Sequence, residues 1–119
     1  MPDSRRVLVA DGDAVVRAAL RLLLARNPLF RVVAESASVE ELQRDTAGAE
    51  PDLILLDMDL RGLTLDAMRQ TCGITSTILL STRDERRQAA LDAGATAFVC
   101  KSESPQQLLA VLQSVAAVA

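Results

Sequence analysis

Four polar side chains stand at comparable places in this 119-residue chain. Asp11 follows the apolar run Val7-Leu8-Val9-Ala10, and Asp57 follows Leu53-Ile54-Leu55-Leu56. Ser81 follows the stretch from Thr77 to Leu80, and Lys101 follows Ala97-Phe98-Val99-Cys100. Two carboxylates, a hydroxyl and an ammonium gathered at one place would suit a narrow range of chemistry. Like charges close together repel unless a cation stands between them. Oxygen donors at an open edge suit magnesium, which keeps several waters and binds phosphate. A carboxylate can also attack phosphorus and give an aspartyl phosphate. Ser81 and Lys101 would then stabilise the transferred group by position and charge. Each residue also has a plainer reading: Asp57 as a strand-end residue, Ser81 as a helix cap, Lys101 as a solvated lysine, Asp11 and Asp13 as a turn and a cap. The conjunction outweighs any single member.

Composition removes other chemistries. There is no His, Trp or Tyr, and the two aromatics are Phe30 and Phe98, so the core is aliphatic. Without imidazole there is no histidine base and no Ser-His-Asp triad. Two cysteines, Cys72 and Cys100, do not make a four-thiolate zinc site, and they fit a reducing compartment. The net charge is -3. Arg83, Arg86 and Arg87 form one small cluster diluted by Asp84 and Glu85, read as a solvated helix face rather than a nucleic-acid surface. No window reaches 18 consecutive apolar residues. The opening Met1 to Arg6 leads into an apolar run too short for a signal peptide. One soluble cytoplasmic domain over residues 1–119 is expected.

The elements that must position the four residues follow from the pattern. Short unbroken apolar runs read as buried parallel strands, because helices cover both faces of such a sheet. Strands are expected at Val7–Ala10, Phe30–Ala34, Leu53–Leu56, Thr77–Leu80 and Ala97–Cys100. Asp13 predicts the cap of a helix from Ala14 to about Arg26, with Val16, Leu20, Leu23 and Leu24 near one face. Ser38 with Glu41 has capping-box spacing for a second helix, closed by Gly48 and Pro51. A short helix is expected from Leu63 to about Arg69, with Cys72-Gly73 after it, and another from Asp84 to Asp92, stopped by Gly94. Ser104, Pro105 and Gln107 open the last helix, whose apolar face is Leu108, Leu112 and Val115.

Strand and helix thus alternate five times, which implies an α/β fold with a parallel sheet covered on both sides. Right-handed crossovers put every carboxyl end on one edge, where open sheets bind ligands. That edge carries Asp11, Asp57, Ser81 and Lys101.

On these residues the chain resembles the receiver domain of two-component response regulators, nearest the subfamily with a LuxR/NarL-type helix-turn-helix behind it. The likeness runs through Arg6 to Asp11, Val16-Arg17, Pro51 to Asp57, Ala93-Gly94-Ala95, Phe98-Val99, Lys101 and Ser104 to Leu109. It implies the flavodoxin-like strand order 2-1-3-4-5. It implies that Asp57 accepts a phosphoryl group from a histidine kinase, that Ser81 and Lys101 contact that group, and that Phe98 is a switching aromatic. It further implies Mg2+ held by Asp11, Asp57 and the main-chain carbonyl of Asp59. The resemblance also implies a dimer or partner surface between the fourth and fifth helices and a DNA-binding output domain that this chain does not contain. Either the chain is cut ahead of such a domain or the protein is a single-domain regulator; the end of the sequence inside an apolar helix, Val115 to Ala119, favours the cut.

The chain departs from the family at particular positions. Gly12 stands where a second acid is usual, and Asp13 lies one residue further on; magnesium binding is expected to be weaker for it. Arg61 replaces a proline, and the spans from Asp57 to Ser81 and from Ser81 to Lys101 are both short for the family. Three functions therefore compete: a phosphorylated switch, a pseudo-receiver that only binds partners, and a phosphohydrolase using Asp57-Met58-Asp59.

Overall fold

A computed structural model describes residues 4–118 of the chain. What the sequence suggests of Met1 to Asp3 and of Ala119 lies outside the described residues. The elements are β1 (Arg5–Ala10), α1 (Ala14–Ala25), β2 (Phe30–Ser36), α2 (Val39–Ala49), β3 (Leu53–Asp57), α3 (Leu65–Ile74), β4 (Ser76–Ser81), α4 (Arg87–Asp92), β5 (Ala97–Cys100) and α5 (Pro105–Val118). A 3-10 turn, Asp84–Arg86, precedes α4. All strands pair in parallel, in the order β2-β1-β3-β4-β5. This is the five-stranded (βα)5 architecture expected from the alternation.

Side chains alternate across a strand, and that alternation builds two cores. Val7, Val9, Leu53, Leu55, Ile78, Leu80 and Val99 face one side, where Leu24 of α1 and Leu108, Leu112 and Val115 of α5 meet them. Leu8, Ala10, Ile54, Leu56, Leu79 and Phe98 face the other, against Leu42 of α2, Met68 of α3 and Ala90 of α4. A strand buried on both faces must be apolar throughout, which is why β3 reads as an unbroken run.

The caps form where sequence predicts them. Asp13 accepts a hydrogen bond from the Val15 N–H at 2.8 Å, Ser38 from Glu41 at 3.3 Å, and Ser104 from Gln107 at 3.2 Å. The Glu41 carboxylate, however, accepts from the Ala37 N–H at 2.9 Å, one residue before the cap. Three boundaries move. Helix α2 runs through Gly48 and ends on Glu50, which takes the left-handed conformation at φ 47°. Helix α3 starts two residues later than expected and runs through Cys72 and Gly73, capped by Thr64. The segment Asp84 to Asp92 splits into a 3-10 turn and a six-residue α4. Gly62 holds φ +82°, and a Cβ there would lie 2.9 Å from Val39 Cγ1, so the turn before α3 needs glycine.

Candidate functional site

Strand parity and strand ends together place the site. Asp57 is the last residue of β3 and shares the parity of Leu53 and Leu55; Asp11 and Lys101 lie one residue past β1 and β5, with the parity of Val9 and Val99. All three side chains therefore leave the edge on the α1 and α5 side, and they meet. Lys101 Nζ donates to Asp11 Oδ2 at 2.6 Å and lies 3.2 Å from Asp57 Oδ1. Both carboxylates are buried and the lysine is half-buried.

Each member is held from outside the trio. The Asp13 N–H donates to Asp11 Oδ1 at 2.9 Å, and Arg17 of α1 donates to the Asp11 carbonyl at 2.7 Å. The Lys101 N–H donates to the Ser81 carbonyl at 2.7 Å, and the Met58 N–H to the Leu80 carbonyl at 2.8 Å. Burial lifts the Asp57 carboxyl above its ordinary 3.8. The Lys101 charge opposes that lift, the Asp11 charge adds to it, and the Lys101 and Asp59 hydrogen bonds do not cancel it. Burial works to lower Lys101, but its hydrogen bond to Asp11 and the charges of Asp57 and Asp11 outweigh it and hold the ammonium above 10.5. The trio is thus one cation between two anions in a poorly hydrated corner, with net charge of about -1.

Ser81 ends β4 with the opposite parity, that of Leu79. Its Oγ is buried and accepts the Arg83 N–H at 3.1 Å, so it turns toward the loop before α4 rather than bonding to Asp57. This bond tightens the loop two residues on and is not the helix cap that the local sequence allowed, since neither the 3-10 turn nor α4 starts on a side-chain cap. Phe98 is buried with the α4 side of the core. The Arg87 guanidinium stacks 4.9 Å from its ring centroid and donates to its carbonyl at 3.3 Å. Asp59 is exposed on the loop after β3, its carboxylate 2.7 Å from Arg86 Nη1.

Sequence reasoning missed both arginine contacts. Arg86 and Arg87 are not a merely solvated face: Arg87 also binds Asp84 at 2.9 Å and Glu103 at 3.4 Å. The three-residue spacing of Asp84 and Arg87 could have shown one of these contacts; the others join loops far apart in sequence.

Carboxylates from Asp11 and Asp57 and a main-chain carbonyl are hard oxygen donors of the kind magnesium takes. They fit the ion in type, although the described residues hold no group of three acidic, His or Cys side chains placed to ligate a metal. Gly12 contributes no carboxylate, yet an ideal Cβ there would meet only the Ala37 carbonyl, at 3.8 Å.

An open parallel sheet in the order β2-β1-β3-β4-β5, with two buried carboxylates and a lysine at its carboxyl edge, defines a doubly wound α/β module. The chain belongs to the response regulator receiver domain family, which it matches over residues 7–113. It is 30% identical over 96% of its length to the nitrate/nitrite response regulator NarP of Escherichia coli, and 29% identical over 98% to a nitrate/nitrite response regulator homolog of Haemophilus influenzae. It spans 57% and 59% of those two proteins' lengths. A LuxR-family two-component response regulator from Aurantimonas superposes with a TM-score of 0.86 at 28% identity, covering 96% of this chain and 86% of that one. Receiver domains are phosphoacceptor modules of two-component signalling rather than independent enzymes, which sets aside the phosphohydrolase reading of Asp57-Met58-Asp59. No helix among the described residues is long and apolar enough to cross a membrane.

Proposed function

We propose that Asp57 is the phosphoacceptor of this receiver domain and takes its phosphoryl group from the phosphohistidine of a partner histidine kinase in the cytoplasm. The observation that carries this reading is the Lys101 ammonium set between Asp11 and Asp57, 2.6 and 3.2 Å away, at the carboxyl edge of the sheet. An oxygen of Asp57 attacks phosphorus. The P–N bond breaks, its electron pair stays on the imidazole nitrogen, and that nitrogen takes up a proton. Burial lifts the Asp57 carboxyl, and the Lys101 charge beside it favours the ionised form that attacks. Lys101 then follows the charge to the phosphoryl oxygens, and the Ser81 hydroxyl leaves the Arg83 N–H to donate to them. Asp11, Asp57 and the Asp59 carbonyl would hold Mg2+, which would supply further positive charge beside the phosphoryl group.

The partner reaches this edge past an apolar groove of about 650 Å³ between α1 and the start of α5, where Lys101 is one wall and Val15 and Leu22 are exposed. An amphipathic helix carrying the phosphohistidine would suit it. Movement of Ser81 and of the loop before α4 changes the face from α4 to α5. That face serves a homodimer or an attached DNA-binding output domain, and nucleic acid is not contacted by the receiver itself. A second reading is favoured by Gly12 together with the short spans from Asp57 to Ser81 and from Ser81 to Lys101: a pseudo-receiver whose partner surface works without phosphate.

Incubation with acetyl phosphate and Mg2+, followed by intact mass, tests the choice. One added phosphoryl group on the wild type and none on Asp57→Asn are expected. An unlabelled wild type, under conditions that label another receiver, leaves the pseudo-receiver.

A further inference from the structure

Arg86 is the one member of the Arg83, Arg86 and Arg87 cluster that the fold aims at the carboxyl edge. Arg83 is exposed, and Arg87 is held by Asp84, Glu103 and Phe98. Arg86 sits in the 3-10 turn that follows Ser81, and its Nη1 lies 2.7 Å from Oδ1 of Asp59 on the loop after β3. Asp59 is two residues from Asp57, and its main-chain N–H works to lower the Asp57 carboxyl. One ion pair therefore bridges the two loops that flank the acceptor.

We propose that Arg86 is a second phosphoryl-binding cation of this edge, held in reserve on Asp59 and passed to the phosphoryl oxygens once Asp57 is phosphorylated. The proposal rests on Asp57 being the acceptor. Its physical basis is a competition between two anions. The Asp59 side chain is 59% exposed, so its pair with Arg86 is screened and weak. An acyl phosphate carries about two negative charges where the carboxylate carried one, and it sits where Asp11 and Asp57 are already buried. It is the stronger partner for a guanidinium, which matches phosphate geometry with paired donors. Before transfer, Asp11, Asp57 and Asp59 face Lys101 and Arg86, three anions against two cations. Without Arg86 the added charge would meet only Lys101 among these groups.

The consequence is on the lifetime of the phosphorylated state. In hydrolysis, water attacks phosphorus, the P–O bond to Asp57 breaks with its electron pair returning to the carboxylate, and a proton leaves to solvent. The transition state is loose and metaphosphate-like, so charge drains from the outer phosphoryl oxygens toward the leaving carboxylate. A cation on those outer oxygens holds the ground state more firmly than the transition state. Arg86 therefore slows hydrolysis, and Asp59, by competing for Arg86, speeds it.

The two partners of the ion pair should thus act with opposite signs. The test labels the protein with acetyl phosphate, removes the donor and follows the loss of the phosphoryl group by intact mass. Arg86→Gln is expected to shorten the lifetime by about 3- to 5-fold, the range of a weak ion pair. Asp59→Asn is expected to lengthen it by about 2-fold on the same scale. Arg86→Lys should fall between Arg86→Gln and wild type. The wild-type lifetime should shorten toward that of Arg86→Gln as salt is raised. A purely structural clasp would make Arg86→Gln and Asp59→Asn change the lifetime in the same direction; that result, or no change in either, overturns the proposal. Failure of the acceptor reading itself shows earlier, as a wild type that takes no label.

Discussion

Helix α4 and the helices α1 and α2 are secured by different means. On the β2-β1-β3 side, α1 and α2 run twelve and eleven residues and start on side-chain caps, Asp13 and Ser38. On the β4-β5 side, α4 has six residues and no side-chain cap, and it is reached through a 3-10 turn. Ion pairs take the place of length there: Arg87 binds Asp84, Glu103 and Phe98, and Arg86 binds Asp59. Packing and caps do not respond to a new charge, whereas half-exposed ion pairs do. Arg17 and Arg21 also pair with Glu35 across α1 and β2, and α5 is capped by Ser104 and packed into the core. The element that combines a short helix, no cap and several ion pairs is α4, and it follows Ser81, so α4 is what a phosphoryl group can reorder.

The contrast can be broken first at its rigid end. Leu55→Ala in β3 removes a fully buried side chain and should cost about 2–5 kcal/mol in denaturant unfolding. Leu91→Ala, on the exposed side of α4, should stay within about 0.5 kcal/mol. Comparable losses would mean that α4 is packed as firmly as the centre.

A smaller effect separates the two kinds of helix start. Asp13→Ala should lower global stability by about 1 kcal/mol through the lost cap. Arg87→Ala should lower it by less, about 0.2–1 kcal/mol, yet speed amide hydrogen exchange across residues 87–92 far more than across α1. Equal exchange in both helices would remove the distinction.

The smallest effect is pH-dependent and isolates Asp57. With its folded carboxyl lifted above 3.8, the native state binds more protons than the unfolded chain between 3.8 and the lifted value. Stability therefore falls as pH rises through that window. Asp57→Asn cannot ionise and escapes this fall. In EDTA it should be the more stable protein at neutral pH, with the gap closing below 3.8. A less stable Asp57→Asn at pH 7 would show that the Lys101 contact outweighs burial.

Much of this was legible in residue order. Apolar runs located β1, β3 and β5 because a strand covered on both faces has no polar positions, and Asp13, Ser38 and Ser104 were readable because caps are local. Gly48 and Gly73 misled as stops: nothing lies within 4 Å of where their Cβ atoms would stand, so each is carried inside an exposed helix turn. The meeting of Asp11, Asp57 and Lys101 was readable from strand ends. The opposite parity of Ser81 was in the same pattern and went unread. Arg86 on Asp59 and Arg87 on Phe98 were beyond local reading, since each pairs loops brought together only when β3, β4 and β5 align.

The most direct measurement is a map of backbone amide shifts before and after phosphorylation with acetyl phosphate. Large changes should gather at residues 57–60, 81–92 and 98–104, while α2, residues 39–49, stays still. Shifts spread evenly over the sheet, or confined to Asp57 and its neighbours with α4 silent, would contradict a switch housed in α4 and the loop before it.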